Sequence, residues 1–177
     1  MLANTPSRLS AIQRASRALL VFFIFMSVIS LWGTLNNIVH PFPPETRTLA
    51  GMVFQGAAIT GKIHGLWLVQ LVLSAAVTLK ILYHLSRLAI LYSGGKVFTA
   101  HNVAQIRQVG LTYAGALAIW LVVLIGAAPE IAAAQDQWVQ IIPSFPGGAL
   151  MSGIFFLFAA RLMNEARELR DEQDLVV

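Results

Sequence analysis

Cysteine is missing from this chain altogether. Its absence excludes disulfides, thiolate metal sites and thiol catalysis, and leaves the compartment open. Charge is scarce as well: 11% of the 177 residues are Asp, Glu, Lys or Arg, against about 25% in a soluble domain. That shortage means that much of the surface faces lipid. Two stretches, Ala18–Val39 and Gln108–Pro129, lack charged residues and histidine entirely, over 22 residues each. At about 1.5 Å per residue, either can cross a hydrocarbon core of roughly 30 Å as a helix. No charged residue or histidine is expected near the membrane midplane, since the first and third spans have none and Lys80, His84 and Arg87 are placed at one end of the second span and His64 at the other. Such a group costs at least about 2.5–3.5 kcal/mol at a helix centre and marks proton relays and ion paths. Its absence argues against a monomeric proton-coupled transporter. No recognisable catalytic or cofactor motif occurs, so no cofactor is expected.

What the chain does contain is apolar surface: 57% hydrophobic residues and a mean hydropathy of +0.72. The length suits one domain. The pattern predicts an all-α integral membrane bundle over residues 1–177, with four transmembrane helices at about 18–39, 63–93, 106–129 and 147–169. Residues 1–17 are polar and basic and read as a short helix leading into the membrane. The first apolar stretch exceeds the h-region of a signal peptide, about 7–15 residues, and lacks a small-x-small cleavage site, so it is expected to stay as a span. His40-Pro41-Phe42-Pro43-Pro44 ends it, because proline lacks the N–H and biases its predecessor away from helix. Residues 40–62 form a loop whose apolar middle, 49–60, is read as packing on the helix ends. Gly94-Gly95 ends the second helix, and Thr99 or Asn102 caps the third, which Pro129 is expected to close. Residues 130–146 form a second loop. Pro146-Gly147-Gly148 opens the fourth helix, which leaves the membrane as a charged tail over 164–177.

The positive residues set the orientation. With the N-terminus inside, Arg8, Arg14, Arg17, Lys80, Arg87, Lys96, Arg107, Arg161, Arg167 and Arg170 lie on the cytoplasmic side, and only Arg47 and Lys62 lie outside. The split of ten to two makes both termini cytoplasmic and loops 40–62 and 130–146 external. Trp32, Trp67 and Trp138 then fall near the outer interface, and Tyr83 and Tyr92 near the inner one.

Candidate functional positions are few. Lys80, His84 and Arg87 recur at i, i+4 and i+7 on one helix. They read chiefly as snorkelling residues that set orientation, with an anionic-headgroup site or a docking face as the sharper alternative. His40, His64, Glu45, Glu130 and Asp136 are external but show no metal-binding spacing, so no metal site is expected. Ser27, Ser30, Ser74, Thr78 and Ser152 lie within spans with no base at matching depth, so they are expected to bond their own helix or a neighbour rather than act as nucleophiles. Gly110, Ala114 and Ala118 recur every four residues, and Gly126 continues the ridge. This is a small-residue seam that lets helices approach closely, within the bundle or between two copies.

Two segments carry a family resemblance. One is Tyr92-Ser93-Gly94-Gly95-Lys96-Val97-Phe98-Thr99-Ala100-His101-Asn102, followed by Ile106-Arg107 and Gly110. The other is the acidic-then-apolar end Asp171-Glu172-Gln173-Asp174-Leu175-Val176-Val177. Together they resemble the bacterial membrane proteins grouped as domain of unknown function 2975. Val176 departs from the Thr that the family pattern favours. The resemblance implies a small bacterial inner-membrane protein of four spans. It also implies an association with small helix-turn-helix regulators, hence sensing or sequestering of a cytoplasmic partner. It transfers no catalytic residue. The contacts expected at the inner face, with lipid or such a partner, are Lys80, His84, Arg87, Lys96, Phe98, Asn102 and Arg107. The leading reading is a non-enzymatic sensor or interaction protein that does not itself bind nucleic acid. The alternative is an oligomeric small transporter or channel subunit, in which Gln70, Ser74, Thr78 and Asn36 would share a lumen.

Overall fold

The computed structural model describes residues 5–40, 46–49, 52–55, 61–95, 99–133, 140–141 and 147–174. Four long helices dominate it: α1 (Thr5–Val39), α2 (Gly61–Ser93), α3 (Ala100–Ala133) and α4 (Gly147–Asp174). Each contains a segment long and apolar enough to cross a membrane. The shortest has 28 residues, about 42 Å of helix, so every helix outruns the hydrocarbon core and must tilt or protrude.

The helices pack in chain order, α1 on α2, α2 on α3 and α3 on α4. This is a row rather than a closed ring. α1, which packs chiefly on α2, exposes Phe22, Phe25, Val28 and Trp32. Such a face is stable against lipid, because hydrocarbon tails are as apolar as the side chains. Of the five span hydroxyls expected to bond a helix, two do so among the described residues: Ser27 donates to the Phe23 carbonyl at 2.8 Å and Thr78 to that of Ser74 at 2.9 Å, as do Thr34 to Ser30 at 2.8 Å and Thr112 to Gln108 at 2.7 Å.

Hydropathy gave no warning of a small sheet in the loops. Strand β1 (Thr46–Leu49) pairs antiparallel with β2 (Met52–Gln55), and β2 pairs with β3 (Gln140–Ile141) through Met52↔Ile141 and Val53↔Gln140. The α1–α2 and α3–α4 connections are therefore joined at one end of the bundle. α1 begins and α4 ends at the other, beside the α2–α3 turn. Among the described residues of the loop 40–62, Leu49 packs on the helix ends: it is 1% exposed and forms the core of the sheet end with Ile63, Val123 and Ala127.

Pro129 does not close the third helix. α3 runs one turn further, to Ala133, with Pro129 inside it. A proline removes one backbone bond and crowds the preceding turn, but in membrane helices neighbouring groups absorb that loss. The extra turn places Glu130 3.3 Å from Lys62 at the start of α2 and brings Ile131 onto the Leu49 core.

Candidate functional site

Two places in the bundle gather the chemistry-bearing residues: the end with the α2–α3 turn, and a crevice midway along the helices. At the turn, the Gly94 N–H donates to the Ile90 carbonyl and the Gly95 N–H to that of Tyr92. Gly95 has φ 74°, a left-handed conformation that glycine adopts without steric cost and that commonly ends helices. Thr99 then caps α3: the Asn102 N–H donates to the Thr99 hydroxyl at 3.3 Å and to its carbonyl at 3.0 Å. Of the two capping residues considered from sequence, Thr99 therefore does the work. Asn102 sits in the first turn and is wholly buried, so it shapes the turn from inside and offers no surface to a partner.

The remaining inner-face residues separate. Lys80 and Arg87 are exposed, and the Arg87 guanidinium lies 5.8 Å from the centre of the Tyr83 ring, within the range of a cation–π contact. His84 turns instead toward α3, where its Nδ1 lies 2.7 Å from Gln105 Oε1 in a half-buried hydrogen bond. Nothing in the sequence pattern singled out Gln105. Arg107 is exposed on α3. Lys96 and Phe98 lie outside the described residues. On α4, Arg161 Nε donates to Glu165 at 3.3 Å, Asn164 to Glu168 at 2.7 Å, and Arg167 lies 4.0 Å from Asp171. These i,i+4 pairs support a solvated helix that continues beyond its apolar part.

The small-residue ridge of α3 divides between two neighbours. Gly110 meets Gly153 and Leu157 of α4, and the Ala114 backbone lies beside Gly153, whereas Gly126 faces Leu66 of α2. Ala118 is exposed. Gly153, the partner that makes the close approach work, was not singled out from sequence, although Ala149 four residues before it gives the small-residue spacing that could have revealed it.

The second place is a cavity of about 400 Å³. Ser74, Thr78 and Leu85 of α2 form one wall, Tyr113 and Ala116 of α3 another, and Ala149 closes it at the start of α4. A smaller cavity of about 180 Å³ adjoins it through Ser74 and Ala116 and reaches Gln70 and Trp120. Gln70, Ser74 and Thr78, three of the four residues considered as lumen-lining, do share this space, while Asn36 on α1 is not among the lining residues. Among the described residues no group of three His, Asp or Glu side chains converges on a metal-sized site.

An open row of four apolar helices, with charged residues at the ends and a crevice at mid-depth, defines a multi-pass α-helical membrane protein. The family model described as protein of unknown function (DUF2975) matches residues 2–177, and the chain belongs to that family. No curated protein and no solved structure matches it.

Proposed function

We propose that this chain is a non-enzymatic protein of the bacterial inner membrane that docks a cytoplasmic protein partner at the end carrying the α2–α3 turn and the end of α4. The observation that carries the reading is the course of α4. The helix continues past its last apolar turn to Asp174, and Arg161 pairs with Glu165 and Arg167 with Asp171 along its own surface. A helix held in shape by its own i,i+4 pairs presents a ready surface at low ordering cost. The exposed Arg87 and Arg107 add positive charge at the same end, where the positive-inside bias favours cytoplasm. A small helix-turn-helix regulator is the partner that the family relationship suggests.

The test is affinity purification of the full chain from detergent-solubilised membranes of its host, beside a variant ending at Asn164. A partner recovered with the full chain and lost with the truncated one supports the reading. Equal recovery removes the tail as the interface.

A second reading, an oligomeric transporter or channel subunit, draws support from Gln70, Ser74 and Thr78 on the crevice. The mainly apolar lining and the absence of Asn36 from it weigh against a water-filled path. Solute flux in proteoliposomes above the protein-free background would favour this second reading.

A further inference from the structure

We propose that the crevice between α2, α3 and the first turn of α4 binds an uncharged long-chain amphiphile from the bilayer, a hydrocarbon tail that carries a hydroxyl or carbonyl oxygen. α2 and α4 both pack along α3 and barely meet each other, so the space between them opens sideways to lipid. From Gln70 to Leu85 it follows α2 for 15 residues, about 22 Å, a shape that suits an extended chain. Its volume, about 400 Å³, lies within the 300–1,000 Å³ common for small-molecule sites, which are likewise mostly apolar with a few polar groups. A second copy's helix, about 10 Å across, would need more than three times that volume over the same length.

The polar groups define the rest of the ligand. No Asp, Glu, Lys, Arg or His lines either cavity, so a charged headgroup would be buried unpaired at a cost of many kcal/mol. Thr78 satisfies its hydroxyl hydrogen on the Ser74 carbonyl and keeps its oxygen lone pairs as acceptors. The Ser74 hydroxyl makes no bond to its own helix among the described residues, unlike those of Ser27, Thr34, Thr78 and Thr112. Tyr113 is held by its ring, stacked on Phe156 at 6.0 Å and 10°, and its hydroxyl has no hydrogen bond among the described residues. Polar groups facing hydrocarbon are costly, and a ligand oxygen meeting Ser74 and Tyr113 relieves that cost. The site therefore distinguishes an oxygen-bearing chain from a plain hydrocarbon.

The experiment uses the full chain in phospholipid vesicles with two photoreactive probes, a diazirine-bearing hexadecanol and a diazirine-bearing hexadecane, and maps adducts by peptide mass spectrometry. The alcohol is expected to label residues 74–85 and 113–119 saturably, and excess plain hexadecanol is expected to displace it. Ala116→Phe, which fills the crevice, should lower that labelling about tenfold. Ser74→Ala, which changes almost no volume, should lower alcohol labelling about fivefold and leave hexadecane labelling unchanged. Labelling that does not saturate and is equally strong around Phe25 and Trp32 of α1 overturns the proposal. So does equal labelling by the two probes, or a Ser74→Ala protein that labels as the wild type does. Should Ala116→Phe fail to fold, the near-isosteric Ser74→Ala comparison decides. No cytoplasmic partner enters the assay, so its outcome is independent of the docking reading.

Discussion

Gly110 of α3 lies against Gly153 of α4 so closely that a Cβ on Gly110 would come 3.1 Å from the Gly153 carbonyl oxygen and 2.8 Å from Leu157 Cγ. In a membrane no hydrophobic driving force gathers helices, and association depends on van der Waals contact and on backbones that can approach. This glycine pair supplies that approach and anchors α4, which packs mainly on α3. Tyr113, one turn along α3, stacks on Phe156 from the same contact.

Gly110→Leu should therefore destabilise the α3–α4 contact by about 1–3 kcal/mol through overpacking, read as a lower thermal midpoint in detergent. Gly115→Ala is the control. Nothing lies within 4 Å of its added Cβ, and alanine favours helix by about 1 kcal/mol, so stability should hold or rise. Ala118→Leu, on an exposed position, should leave the monomer's midpoint unchanged. A loss of self-association in that variant would assign this part of the ridge to a second copy.

Leu49→Ala should cost about 2–5 kcal/mol, the range for truncating a buried leucine, because Leu49 fills the core made by Ile63, Val123 and Ala127. The effect should concentrate at the sheet end. Limited proteolysis should cut the α1–α2 connection faster than in the wild type, with little change near Gly94-Gly95. Unchanged cleavage would mean that β1 is not held by this contact.

Thr99→Ala should weaken the start of α3 by about 0.5–2 kcal/mol, the usual loss of an N-cap, whereas Thr99→Ser should keep the cap. Amide hydrogen exchange over residues 100–104 reports the change locally. Equal exchange in the wild type and Thr99→Ala would exclude a capping role.

The cysteine-free sequence is a ready background for topology mapping. With α1 beginning and α4 ending in the cytoplasm, His40→Cys should react with a membrane-impermeant maleimide in spheroplasts. His101→Cys and Glu172→Cys should react only in inverted vesicles. All three positions are exposed. The reverse pattern would invert the proposed orientation.

The helices were legible because each is written in a long-period signal. α2 covers 61–93 against the expected 63–93, and α4 opens at Gly147 as the glycine pair indicated. The i,i+4 pairing of Arg161 with Glu165 and of Arg167 with Asp171 was also readable, since both partners lie on one helix. The failures share a cause. Pro129 carries a local rule that the surroundings of α3 override. β2 and β3 are short strands separated by more than eighty residues, and no periodicity in either one names the other. At the turn, the exposed Lys80 and Arg87 followed from helical spacing, but the diversion of His84 to Gln105 did not.

The amino-acid order alone determined that the chain has four apolar helices and where their ends fall, the end of α3 excepted, because transfer into hydrocarbon is a sum over residues and needs no knowledge of neighbours. Tertiary structure decided that α1 stays at the edge, that Gly110 finds Gly153, and that Ser74 and Tyr113 face one cavity. Those outcomes depend on how surfaces fit across helices, a property of pairs distant in the chain that a one-dimensional pattern does not encode.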